Sequence, residues 1–131
     1  MQNIQKYKKE IFNLLEKISS NQKDKFFKVA QEFYKTYKKN GMIYIFGTGH
    51  SHMLAEEGHF RAGGFAPICP ILNSSLMLHE DTTFSSVLER TEGVATNLIK
   101  KYNIESKDIF RSHFLLLKES PILKFFLFTN K

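Results

Sequence analysis

The feature that most limits what this chain can fold into is a short apolar run that ends in two closely spaced glycines. Residues 42–46 (Met-Ile-Tyr-Ile-Phe) follow Gly41 without a polar interruption. A run that short, apolar and continuous predicts a buried strand. Gly47-Thr48-Gly49-His50-Ser51 then reads as a tight turn, and residues 52–62 have helical character up to Gly63-Gly64. Strand, glycine turn and helix in that order is a geometry that binds phosphate. The first amides of a helix lack internal partners, and the helix dipole adds positive character at the same end. Gly47 and Gly49 let the backbone approach a ligand, and Thr48 and Ser51 supply hydroxyls. Ser51 fits a plain N-cap equally well.

The rest of the pattern places this unit in an α/β fold. Ile4, Tyr7, Ile11, Leu14, Leu15 and Ile18 recur at helical spacing, and so do Phe26, Phe27, Ala30, Phe33, Tyr34 and Tyr37. This predicts two amphipathic helices in tandem, a helical hairpin over residues 1–40. Asn21 suits the second helix's N-cap, and Asn40-Gly41 suits its stop. Residues 66–72 are a second strand candidate, which Pro67 and Pro70 either weaken or place at a sheet edge. Val87, Leu88, Thr91, Val94, Ala95, Leu98, Ile99 and Tyr102 predict another helix, with Gly93 as a soft spot. Residues 104–109 lead into a third strand. Alternating strands and helices predict a parallel sheet with helices on its faces.

Two familiar phosphate motifs are excluded. The third glycine of G-x-G-x-x-G would fall at His52, and no Gly-Lys-Ser/Thr follows the turn. No cofactor is therefore assigned. His52, Glu56 and His59 share one helix face, which suits a metal or a polar surface alike, and no metal is assigned. The net charge of +6 comes from 19 Lys and Arg against 13 Asp and Glu. The basic residues are nearly all lysines beside acids on helix faces, so the reading assigns no nucleic acid. The apolar clusters near the C-terminus are short and charge-broken, so no membrane span is assigned. A lone cysteine, Cys69, among apolar neighbours predicts a buried, inert thiol in a cytoplasmic, reduced setting.

Residues 44–80, YIFGTGHSHMLAEEGHFRAGGFAPICPILNSSLMLHE, closely resemble the sugar isomerase (SIS) domain proteins. Within them the match is to a phosphosugar-binding group whose run is a strand, GTGHSHMLAEE, an RAGG turn, a P-I-L stretch and LMLHE. The later segment SSVLERTEGVATNLIKKYNIESKDIF fits the same group, so the match covers roughly residues 3–110. The resemblance implies a Rossmann-like or flavodoxin-like parallel sheet, here in part. It implies a helical hairpin that helps form a homodimer, and a phosphorylated sugar as ligand. Gly47, Thr48, Gly49, His50 and Ser51 match the first phosphate-binding loop.

Many members of the wider family interconvert aldose and ketose phosphates, and others sense a phosphosugar without chemistry. Isomerisation through an enediol needs a base near the sugar carbonyl, and Glu57 and His79 are the candidates. The family's isomerases carry a glutamate further along the first helix, where this chain has Arg61. Arg61 suits pairing with phosphate or with Glu57. Asn73, Ser74 and Ser75 follow the second strand, at the sheet end where ligands collect in such folds. After Phe110 the family continues into a second, serine-rich loop, which this chain lacks. The expected domain is therefore residues 1–110, with a 1–40 hairpin, a 41–110 βαβ core and a divergent 111–131 tail after a truncation. An inactive fragment is the remaining reading.

Overall fold

The computed structural model describes residues 2–113 of the chain. Two compact units divide it, one ending at Lys35 and the other beginning at Thr36. Helices α1 (Gln2–Asn21) and α2 (Lys23–Lys38) follow the two apolar stripes. Asn21 ends the first helix instead of capping the second. Gln22 alone separates them: its N–H donates to the Ile18 carbonyl, and the Phe26 N–H donates to the Gln22 carbonyl. Gln22 is thus the residue that parts the two helices the sequence predicts.

The stop at Asn40-Gly41 is a Schellman cap. The Gly41 N–H donates to the Thr36 carbonyl, the Asn40 N–H donates to the Tyr37 carbonyl, and Asn40 takes φ +53°. Asparagine is among the few residues that accept that left-handed conformation readily.

Among the described residues the sheet has three strands: β1 (Ile43–Gly47), β2 (Ile68–Ile71) and β3 (Ile109–His113). Their order is β2-β1-β3, and β1 runs parallel to both neighbours. The class read from the sequence is therefore present: α/β with a parallel sheet. Pro70 lies in β2, which is at the sheet edge among the described residues, where a missing N–H is tolerated. Strand β3 continues through Arg111 and Ser112 to His113, three residues past the expected break. The expected Phe-rich tail from residue 114 onward lies outside the described residues.

Alternation along β1 divides the core. Tyr44 and Phe46 join Ile71, Leu76, Ala95 and Leu98 on one face. On the other, α3 (His52–His59) covers the sheet, and its Gly58 comes against Ile68 and Ile45. The helix predicted around residues 87–102 is instead two: α4 (Thr82–Leu88) and α5 (Val94–Ile99). Gly93 sits between them at φ +82°. It is the N-cap of α5, and its left-handed backbone keeps that helix from extending back toward α4, which ends at Leu88. Asp81, which the sequence reading passed over, caps α4 by accepting the Phe84 N–H at 2.9 Å.

Cys69 is half-buried and packs on the Tyr44 cluster. Burial pushes its thiol up, and burial also pushes the Tyr44 phenol up, helped by Asp108, Cys69, Glu105 and Tyr102. Both groups thus fold in their neutral forms. Their contribution to stability is complete below the ordinary values of 9.0 and 10.0 and is lost as pH rises through the raised ones. Urea-denaturation midpoints should fall above about pH 9, and Cys69→Ala should flatten the early part of the fall. Midpoints that stay level up to about pH 11 contradict this assignment.

Candidate phosphate site at the sheet switch point

The chain leaves β1 to form β2 on one side and later β3 on the other. The C-terminal end of β1 is thus a topological switch point, the place where α/β sheets open a crevice for ligands. Residues 47–51 occupy it. Thr48 is extended (φ −112°, ψ 165°) and leads into a single 3₁₀ turn, Gly49–Ser51, that feeds α3. Gly49 adopts φ +52°. Gly47 and Thr48 are buried, Gly49 and Ser51 are half-buried, and His50 is exposed.

The amides do not all remain open. The Ser51 N–H donates to the Thr48 carbonyl at 2.9 Å, and the His52 N–H is directed to the His50 carbonyl. The Gly49 and His50 N–H groups begin the turn and have no backbone acceptor among the described residues. The free donors are therefore fewer than residues 47–51 as a whole suggest. Ser51 stands at the N-cap position of α3, but its hydroxyl makes no capping bond, and neither does that of Thr48 for the 3₁₀ turn.

A cavity of about 450 Å³ opens beside this turn, lined by Gly49, His50, His52, Met53, Glu56, Leu78 and His79. Of the sequence candidates it gathers Gly49, His50 and His79. Its lining combines three imidazoles, one carboxylate and two apolar side chains. His79 is exposed, with Nε2 3.9 Å from Glu80 Oε1 and its ring 5.8 Å from that of His52.

The other candidates lie elsewhere. Glu57 and Arg61 form an exposed ion pair at 2.5 Å on the surface of α3. Such pairs contribute little to stability, because water solvates both partners. Glu57 instead lines a neighbouring cavity of about 510 Å³ with Met53, Glu56, His59, Phe60, Pro70 and Leu72. Asn73 Oδ1 accepts the Ser75 N–H at 3.0 Å and caps the 3₁₀ turn Ser74–Leu76. Neither cavity is lined by Asn73, Ser74 or Ser75.

His52 and His59 each commit Nδ1 to a backbone carbonyl, Gly49 and Ile68 respectively. No group of three His, Cys, Asp or Glu among the described residues is arranged to hold a metal ion. From the sequence, His52 and Glu56 suit a metal or a polar helix face alike, and neither is assigned to the loop. Their i, i+4 spacing from the end of the loop is the signal that places both beside it.

A parallel sheet whose central strand ends in a glycine turn at the switch point defines a domain of the α/β class. The chain belongs to the SIS domain family, whose model matches residues 6–113. It is 40% identical over 107 residues to a UPF0309 protein of Geobacillus thermodenitrificans, covering 82% of this chain and 43% of that one. A UPF0309 protein of Listeria innocua is 43% identical over 96 residues, 73% of this chain and 39% of its own. A third, from Brucella ovis, is 49% identical over 67 residues, 51% of this chain and 28% of its own. The chain thus spans less than half the length of the curated relatives it matches. Among the described residues, no helix is long and apolar enough to cross a membrane.

Proposed function

We propose that the turn at residues 47–51 binds the phosphate of a phosphorylated sugar, with Gly47, Thr48, Gly49, His50 and Ser51 as the cradle. The observation that carries this is the position of the turn: the Gly49 and His50 amides and the Ser51 hydroxyl stand at the switch point of a SIS-family sheet. Phosphate oxygens accept strongly from such donors. The sugar then lies in the cavity toward His79 and Glu56. Aldose–ketose isomerisation is the reaction this arrangement serves, and His79 is the better-placed base because it lines the loop cavity while Glu57 does not. The Glu57–Arg61 pair favours the second reading, a non-catalytic phosphosugar sensor, since it engages one of the two candidate bases. A cytoplasmic setting follows from the chemistry of both readings.

Homodimerisation through the N-terminal helices belongs to the same proposal. No residue of α1 is buried, and Ile4, Tyr7, Phe12, Leu14 and Leu15 are all more than half exposed. Apolar surface on that scale favours a partner. Sedimentation velocity that finds only monomer at micromolar concentration contradicts it.

A thermal-shift panel of phosphorylated sugars and their unphosphorylated parents tests the binding. The phosphorylated forms should raise Tm and the parents should not. Ser51→Ala should weaken a confirmed ligand about tenfold, the loss of one charge-assisted hydrogen bond. An unchanged affinity places the phosphate elsewhere. Product analysis by NMR on any ligand found separates isomerase from sensor.

A further inference from the structure

His52 is a buried imidazole that no phosphate motif requires. It opens α3, yet it is only 6% exposed. Its Nδ1 is in hydrogen-bond contact with the Gly49 carbonyl oxygen. A carbonyl only accepts, so Nδ1 carries the proton and donates. Its Nε2 faces Glu56 Oε1 at 3.6 Å, and the His79 ring lies against it. The ring is therefore held from two sides while one nitrogen grips the loop.

That grip has a consequence across the next peptide bond. The Gly49 carbonyl and the His50 N–H belong to one planar trans unit, and they point in opposite directions. Drawing the carbonyl inward to the buried ring turns the His50 N–H the other way. His50 is exposed, and its N–H has no backbone acceptor among the described residues. Gly49, at φ +52°, supplies the backbone conformation that allows this orientation.

We propose that His52 is the positioning residue of the loop: its Nδ1–H, donated to the Gly49 carbonyl, sets the Gly49–His50 peptide so that the His50 amide is presented to a phosphate oxygen. This rests on the reading of the loop as a phosphate site. Asn in place of His puts an amide N–H close to where Nδ1 stood, and Gln reaches instead toward the place of Nε2. The two variants thus separate the grip from mere filling of the site.

The test uses the full chain and inorganic phosphate. First, long-range ¹H–¹⁵N spectra of the ligand-free protein read the His52 ring. A proton on Nδ1, in the neutral or the doubly protonated ring, is expected. A bare Nδ1 overturns the proposal without reference to any ligand or variant. Second, phosphate is titrated while the His50 amide is followed. His52→Gln should weaken binding about tenfold and His52→Asn should stay within about threefold of wild type, as one retained donor predicts. Equal weakening in both variants, or in neither, overturns the proposal. A wild-type His50 amide that ignores phosphate removes the phosphate reading itself. A bare Nδ1 with wild-type phosphate binding intact removes the positioning role alone.

Discussion

Gly47→Ala should cost the protein both its loop and a large part of its stability. A Cβ at this position would lie 2.5 Å from the Ser51 carbonyl carbon and oxygen and 2.7 Å from the His52 nitrogen. All three are backbone atoms, so no side chain can swing aside. The end of β1 and the start of α3 must separate instead, which pulls apart the switch-point crevice. Overpacking of this kind costs about 1–3 kcal/mol, and a clash with backbone alone belongs at the upper end. Urea denaturation should show a lower midpoint with an unchanged slope, and phosphate-dependent amide shifts in the loop should vanish. Gly63→Ala is the internal comparison. Gly63 has φ +76° and open space around its Cβ position, so only conformational strain of about 1–2 kcal/mol applies. A Gly47→Ala protein as stable as wild type, with its loop still responsive, contradicts the close packing of strand end on helix start.

Asp108→Ala should be comparably damaging, for a reason distant from the loop. One carboxylate oxygen accepts the Met42 N–H at 2.7 Å, and the other accepts the Glu105 N–H at 2.8 Å. A single side chain thus ties the entrance of β1 to the turn that precedes β3. The Ile109 N–H completes the junction by donating to the Met42 carbonyl. Hydrogen bonds to a charged group contribute about 1.5–3 kcal/mol each, so losing both should remove about 3 kcal/mol or more. That is a large fraction of a small domain's stability. Asp108→Asn keeps one acceptor oxygen and should fall between the two. Denaturant midpoints for the series decide it. Equal stability for Ala and wild type would mean that water replaces the carboxylate at no cost.

Much of this architecture is readable from local pattern. The five-residue apolar run predicts β1, and the glycine turn after it predicts where a ligand site opens. Asn40-Gly41 predicts a helix stop because Asn and Gly are the residues that accept a left-handed conformation. Pro70, with no N–H to give, leaves either a weakened strand or an edge strand, and the sheet order shows the edge. Elsewhere, local pattern is blind to what interrupts it. Apolar spacing runs from Val87 to Tyr102 as if one helix continued, and only the structure shows the turn over residues 89–93 that makes two. The stripes of α1 and α2 are both helical, but the spacing does not say whether the chain reverses at Gln22.

By itself, then, the sequence determined the strand, the turn and the helix that build the candidate site, along with the SIS family to which they belong. Each of these depends on neighbours a few residues apart, whose periodicity and backbone preferences are written locally. Tertiary structure alone decided that His79 comes back to the loop, that Glu57 lines a different cavity, and that His52 is buried beneath the loop. It also decided that Asp108 joins a strand 66 residues earlier in the chain. Those contacts exist only once β2 and β3 have taken opposite sides of β1, because strand order, not spacing, brings residues far apart in the chain within hydrogen-bond reach.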